Sequence, residues 1–313
     1  MTLDDLTRDN RSGASAIARA LAERLSELAA SSAAADPGSL WDEIEAACRA
    51  VVGAHREMAP VVHVAGRVLA AAERAVLSGL SVDAVAQTAR VECELSAERA
   101  DEALAALARH GAALLRERAG GAPVVTTSAS AAVAAIIRAA AEAGAPPRVL
   151  LSESRPALEG VAFAEALSRG GSSVALVTDA ALPGLARGAG LVLVGADSVS
   201  ESDFVNKVGT YPLALAAREA GVPLYVAAPP DRFIAEALRG RPDRPRDGAE
   251  ILPSPPPGVS VENRSFEIVP LSLAAGLITE DGVKDPREAA ALVGGRAVPP
   301  ALLRILFSPR VSL

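Results

Sequence analysis

The chain has 313 residues, enough for two domains and a large core, with a formal net charge of −7, a sequence pI near 5.2 and only 3% aromatics. That balance argues against general nucleic-acid binding, which needs a basic face, and it leaves Ala, Leu and Val to fill the core. No stretch offers the roughly 20 uninterrupted apolar residues of a membrane span, and the acidic, polar start MTLDDLTRDN does not read as a signal peptide, so a cytoplasmic protein is expected.

From Ala14 to Ala30, Ile17, Leu21, Leu25 and Leu28 fall on one face of an amphipathic helix. The turn Arg11–Ser15 before it is rich in small residues. Backbone N–H groups at such a helix start can hold an anion, although an ordinary cap explains this turn as well. Ser31–Gly38 reads as a linker. Leu40–Val52, Ala59–Leu77, Ser81–Val91 and Ala97–Glu117 read as further helices, with Pro60 suited to a first turn. Cys48 and Cys93, with His55, His63 and His110, lie in this part at no metal-ligand spacing. Buried free thiols and no metal site are expected. No strand signal precedes residue 120, so residues 1–120 are predicted to form an all-helical domain.

Gly120-Gly121-Ala122-Pro123 breaks the helical pattern, and the rhythm changes to strand, turn, helix. Strands are predicted at Pro123–Thr127, Arg148–Ser152, Ser173–Thr178, Gly190–Val194 and Val222–Ala227. Helices are predicted at Ser130–Ala143, Pro156–Arg169, Leu182–Ala186 and Asn206–Ala220. Such alternation with short connections means a parallel sheet with right-handed crossovers and helices on both faces. The fold class is α/β, with residues 121–313 a Rossmann-like domain. Asp231–Gly258 reads as one helical turn plus an exposed loop, in which the basic run 239–246 is a solvated surface. A last strand is expected at Phe266–Val269, and short helices at Asp285–Val293 and Pro300–Phe307.

Ligands of open α/β sheets bind outside the carboxyl ends of the strands. Polar groups stand at four predicted strand ends: Thr126-Thr127-Ser128, Ser152-Glu153-Ser154-Arg155, Thr178-Asp179 and Asp197. Helices starting at Ser130, Pro156 and Asn206 would aim their N–H dipoles at that edge. The stretch Gly195–Tyr211, GADSVSESDFVNKVGTY, also holds an unusual pair. Of 31 basic residues only Lys207 and Lys284 are lysine, and Asn206 is one of three asparagines, Asn10 and Asn263 being the others. A compact ammonium suits a point contact to one phosphate oxygen, where guanidinium is a planar fork. The bland alternative is an ordinary polar helix start.

No P-loop, no G-x-G-x-x-G between strand and helix, no G-x-S-x-G and no C-x-x-C occurs. The segments ESRPALEG (Glu153–Gly160), Gly195–Tyr211 and LYVAAP (Leu224–Pro229), with SGAS near Gly13, Phe266-Glu267 and TEDG at Thr279–Gly282, resemble motifs of one superfamily. It joins the α, β and δ regulatory subunits of translation initiation factor 2B with two sugar-phosphate isomerases, methylthioribose-1-phosphate isomerase and ribose-1,5-bisphosphate isomerase.

The resemblance implies a helical N-terminal domain, a Rossmann-like C-terminal domain, a homodimer or higher oligomer, and a phosphorylated sugar as ligand. It implies no cofactor, no direct nucleic-acid contact and no membrane. Asp197 falls on the isomerases' catalytic aspartate, thought to act as an acid. Asn206 and Lys207 fall on a substrate-binding pair, Gly13 and Ala14 on a substrate-binding turn, Arg56 on a phosphate-binding arginine, and Arg232 on a basic substrate contact. Ser130 and Arg155, at the same strand ends, join the candidate binding set.

Three positions depart from the pattern. Ser12 stands where the isomerases have arginine, and Thr126-Thr127-Ser128 stands in place of a Thr-His-Cys-type strand end, so that Thr127 replaces the histidine and Ser128 the catalytic cysteine. A serine hydroxyl is a far weaker acid than a thiol and needs a partner base. The expectation is therefore a sugar-phosphate-binding protein without efficient isomerase activity. The alternatives are an aldose-1-phosphate to ketose-1-phosphate isomerase using Asp197, with Ser128 or water completing the transfer, and a regulatory assembly subunit acting through protein–protein contacts.

Overall fold

The computed structural model describes residues 2–242, 245–295 and 298–307. By compactness the chain divides into two units. The first is Met1–Glu102 with Glu236–Gly240 and Gly294–Leu313, and the second is Ala103–Ala235 with Arg241–Val293. The secondary structure changes character near residue 120, whereas compactness divides the chain inside a helix, and short returning segments complete the first unit.

The first unit is helical: α1 (Leu3–Arg8), α2 (Ala14–Ser31), α3 (Pro37–His55), α4 (Ala59–Leu77), the start of α5 (Val82–Arg118) and, from far along the chain, the helix Pro300–Phe307. Its core is aliphatic, with Leu6, Ile17, Leu21, Leu25, Leu40, Ile44 and Leu69 fully buried. Asp36 caps α3 by accepting from Ser39 N, and Pro37 opens its first turn. Where two helices were expected over 81–117, α5 is continuous. The stretch Glu92–Ser96 holds neither Gly nor Pro, and nothing there breaks the backbone ladder.

The second unit is built on a seven-stranded sheet. Its strands are β1 (Val124–Thr126), β2 (Arg148–Ser152), β3 (Ser173–Val177), β4 (Leu191–Gly195), β7 (Leu224–Ala227), β9 (Gly276–Thr279) and β10 (Gly282–Lys284). Their order is β10-β9-β7-β4-β1-β2-β3, and every pairing is parallel except β10 with β9. Successive residues of the central strands serve opposite faces, as the pleat requires. Val125, Val192, Val194, Leu224, Val226 and Leu277 meet α8 (Thr210–Glu219) through Leu213, Ala214 and Ala217. Val124, Leu191, Leu193, Tyr225, Ala227 and Ile278 share the other core with α5, α6 (Ala131–Glu142) and α7 (Glu159–Arg169), through Leu107, Ile136 and Phe163. This is the α/β, Rossmann-like sheet expected.

Strands β9 and β10 lie where no strand is predicted, and other features also differ from expectation. Asn206 and Lys207 do not open a helix. They end strand β6 (Asp203–Lys207), the middle of a second, antiparallel sheet with β5 (Ser198–Val199) and β8 (Phe266–Pro270) in the order β5-β6-β8. Helix α8 starts only at Thr210, after Gly209 at φ 101°. Helix α7 likewise begins at Glu159 rather than Pro156, because Leu158 takes a left-handed turn at φ 58°. The expected strand at Phe266–Val269 therefore pairs with β6 instead of extending the large sheet. In the basic run 239–246, Asp243 and Arg244 lie outside the described residues, and Arg239 is buried rather than solvated.

Candidate functional site

Strands β1 and β4 lie side by side, and the chain leaves them in opposite directions across the sheet: β1 leads on to β2 and β3, and β4 to β7. This is a topological switch point, where open sheets hold their ligands at the carboxyl edge. Ser128 follows β1 and Asp197 follows β4. Gly195, which closes β4, allows the approach of α6. A Cβ there would stand 2.3 Å from Ser130 Oγ. Ser130 is the N-cap of α6, its hydroxyl accepting from Val133 N.

The end of β2 is folded tightly around Ser128. Ser128 itself sits at φ 62° and Ser154 at φ 64°. Ser128 N donates to Ser154 Oγ at 3.0 Å. The Asp179 carboxylate, at the end of β3, accepts from the N–H groups of Ser154 (2.8 Å) and Arg155 (2.7 Å). Arg155 is thus held by its backbone, and its residue is exposed. Gly160 lets α7 start against β2, since a Cβ there would lie 1.9 Å from Ser152 O.

This packing places Glu159, the first residue of α7, between two of the expected site residues. Glu159 Oε1 accepts from Ser128 Oγ at 3.0 Å and pairs with Lys207 Nζ at 2.7 Å. The lysine side chain is 8% exposed and that of the glutamate 16%. Glu159 Oε2 is buried without a hydrogen-bond partner, which is costly for a carboxylate oxygen.

Lys207 is fixed from its own strand. Thr210 Oγ1 accepts from Asn206 Nδ2 at 2.9 Å and donates to Lys207 O at 2.6 Å, which clamps the corner between β6 and α8. Asp197 N donates to Val205 O at 2.8 Å, and this brings the aspartate alongside the 206–207 end of β6. The start of α8 is already occupied by protein: Glu267 Oε1 accepts from Tyr211 N at 2.8 Å. Burial pushes the Glu267 carboxyl up, against the pull of hydrogen bonds from the N–H groups of Tyr211, Gly209 and Thr210. The helix dipole expected to point at a ligand from Asn206 is therefore absent, and α8 directs its own dipole at Glu267. Arg232 lies in a 3-10 turn after β7, buried, with its guanidinium NH1 4.0 Å from Asp231 Oδ2.

A sequence model of the Initiation factor 2 subunit family matches residues 10–286. The chain belongs to that family. A family relative, the 5-deoxyribose 1-phosphate isomerase of Moorella thermoacetica, is 38% identical over 150 residues, 44% of this chain and 43% of that protein. The match to that relative thus spans less than half of its length. Among solved structures, the translation initiation factor eIF-2B of Pyrococcus horikoshii OT3 superposes with a TM-score of 0.76 at 30% identity, over 91% of this chain and 95% of that one. The 5-methylthioribose 1-phosphate isomerase of the same organism gives 0.75 at 25% identity, over 94% and 87%.

In this family member the switch-point edge collects Ser128, Ser130, Arg155, Asp197, Asn206, Lys207 and Arg232, all in the second unit. Gly13, Ala14 and Arg56 belong to the first. There Gly13 is the N-cap of α2, with no side-chain cap, and Ala14 is buried. Arg56 ends α3, its Nε donating to Leu238 O at 2.9 Å and NH1 to Leu306 O at 3.1 Å, with the guanidinium 5.0 Å from the Phe307 ring centroid. Burial lowers the proton affinity of that guanidinium.

Glu159 is the residue that the sequence reading missed. Its signal was present, as a carboxylate at the start of a predicted helix inside the quoted segment ESRPALEG. Nothing in one dimension shows that it faces Ser128 and Lys207. Among the described residues no group of three or more His, Cys, Asp and Glu side chains could hold a metal ion, and no helix is long and apolar enough to cross a membrane.

Proposed function

We propose that this protein binds a phosphorylated sugar at the carboxyl edge of the second unit's sheet, with Lys207 as the phosphate partner and Asp197 as the acid. The observation that carries the reading is the placement of Lys207. A nearly buried ammonium, in a chain with two lysines, stands beside the switch point with two N–H donors beyond the one that meets Glu159. Asn206 holds the backbone corner, and Ser130, Arg155 and Arg232 line neighbouring strand ends. Gly13, Ala14 and Arg56, in the first unit, are candidates through the resemblance alone. A homodimer or larger assembly in the cytoplasm, without a cofactor, belongs to the same reading.

Ser128 alone is a poor proton acceptor, so this reading includes no efficient isomerisation through its hydroxyl. A second reading, an aldose-1-phosphate to ketose-1-phosphate isomerase, is favoured by one observation: the Ser128 hydroxyl is shared with a carboxylate. Similarity to proteins named as sugar-phosphate isomerases points the same way. Calorimetric titration of the full chain with methylthioribose 1-phosphate and ribose 1,5-bisphosphate tests the binding. Saturable heat at micromolar to millimolar concentrations supports it, and the absence of binding by either sugar phosphate overturns both readings.

A further inference from the structure

We infer that Glu159 is the proton acceptor of this site, and that the ligand's own phosphate releases it for that work. The inference rests on the second reading above, that of a sugar-phosphate isomerase. Three observations support it. Glu159 Oε1 holds both the Ser128 hydroxyl and the Lys207 ammonium. Its second oxygen, Oε2, is buried with no partner in the resting arrangement. Asp197, a second carboxylate, leaves the neighbouring strand at the same edge. Two carboxylates at one sheet edge supply the groups that paired acid and base chemistry needs.

The Lys207–Glu159 pair sets the order of events. An ammonium that takes up a phosphate dianion must share or surrender its carboxylate. Glu159 then loses its counter-ion and gains a dianion as neighbour. A carboxylate beside like charge holds a proton more tightly than one beside an ammonium. Substrate binding therefore turns Glu159 from an ion-pair partner into a base. Ser128 keeps the carboxylate aimed by its hydrogen bond.

For an aldose 1-phosphate the transfer balances as follows. Protonated Asp197 gives its proton to the ring oxygen as the C1–O bond breaks. Glu159 takes the proton from C2, and the C2–H electron pair forms the C1–C2 double bond. Glu159 returns that proton to C1, the double-bond pair forming the new C1–H bond. The C2 hydroxyl proton passes to Asp197, leaving a C2 ketone. Both carboxyl groups end in their starting states, and no oxidant or reductant is consumed.

The test uses the full-length protein, with Glu159→Gln and Glu159→Asp, and methylthioribose 1-phosphate as probe. Thermal melting confirms that each variant is folded. Calorimetry at pH 8 in two buffers of different ionisation enthalpy, where the phosphate is already a dianion, reads protons taken up on binding. The wild type is expected to take up a fraction of a proton and Glu159→Gln none. Glu159→Gln should bind as tightly as the wild type or more tightly, because the competing carboxylate charge is gone, yet lose at least 100-fold in kcat. Glu159→Asp should recover part of kcat.

With substrate carrying deuterium at C2, the wild type in H2O should deliver part of that deuterium to C1 of the ketose product. Turnover of Glu159→Gln within fivefold of wild type, or equal proton uptake by both, would overturn the inference. So would a wild type that binds the sugar phosphate without turning it over. No binding by the wild type sinks the functional reading itself, which keeps the two failures distinct.

Discussion

Lys207 Nζ and Glu159 Oε1 are 2.7 Å apart, and their side chains are 8% and 16% exposed. The pair joins β6, in the second, three-stranded sheet, to the start of α7, through two residues 48 positions apart in the chain. Removing one member leaves the other charge buried alone, which costs far more than the pair contributes as a whole. Lys207→Ala is expected to lower stability by about 3 kcal/mol in urea unfolding. In calorimetry it is expected to weaken sugar-phosphate binding by about 1.5–3 kcal/mol, as for a hydrogen bond to a charged group. The double variant Lys207→Ala/Glu159→Ala should recover part of the stability, with a coupling of about 1–3 kcal/mol. An additive cycle would mean that the two side chains meet without energetic consequence.

Gly160 decides whether Glu159 reaches that partner at all. A Cβ at residue 160 would lie 1.9 Å from Ser152 O and 2.9 Å from Glu153 C, both backbone atoms that no rotamer change can move. Gly160→Ala must therefore push α7 off the end of β2. The expected loss is about 3 kcal/mol or more, measured by urea unfolding. Gly188→Ala is the matched control, since a Cβ there meets nothing within 4 Å. Its effect should stay within about 0.5 kcal/mol. Equal effects from the two variants would show that the close approach at 160 relaxes freely.

Five strands of the large sheet, β1, β2, β3, β4 and β7, were legible because each is a short apolar run with turn residues on both sides, whereas β9 and β10 were not read from the sequence. Leu191–Val194, for example, is buried on every residue and flanked by Gly190 and Gly195. Asp197 was legible for the same reason, as the polar residue just past such a strand. The second sheet was not. Asn206–Glu219 shows helical spacing at Leu213, Leu215 and Ala216, and this spacing masked the boundary at Gly209. Strand β6 is defined by its partners β5 and β8, and β8 lies some 60 residues further along, beyond the range of any local pattern. Glu159 stayed hidden for a related reason: its role comes from two contacts made across 31 and 48 residues of chain. Arg239 was read as solvated from its charged neighbours, and only the folded chain shows it buried.

Glu267 supplies the acceptor that α8 lacks from its own N-cap, Gly209, which has no side chain to offer. The same residue sits opposite Asn206 in the β6–β8 pairing. Glu267→Ala should cost about 1 kcal/mol as a lost helix cap. It should also speed amide exchange at Tyr211, which hydrogen-exchange mass spectrometry or NMR can follow. Unaltered exchange at Tyr211 would assign the capping of α8 to the backbone alone.

Cys48 and Cys93 are buried free thiols of the first unit. Burial, with the neighbouring charges of Glu92 and Glu94, pushes the Cys93 thiol from 9.0 up to about 12. Burial, then Cys93 and Glu45, pushes Cys48 up as well. A group whose proton is held more tightly in the folded chain stabilises the fold fully below its unfolded value, and that stability is lost as pH rises through the folded value. The thiol contribution is therefore intact at pH 7 and declines from about pH 9 toward 12. Urea midpoints measured from pH 7 to 10.5 should fall along that range, and Cys93→Ala should flatten the fall. At pH 8 neither thiol should react with iodoacetamide in the native protein, because the reactive thiolate is suppressed and access is closed. Both should react once urea unfolds the chain. Rapid native alkylation at Cys93 would show that the first unit opens there far more readily than its buried surroundings allow.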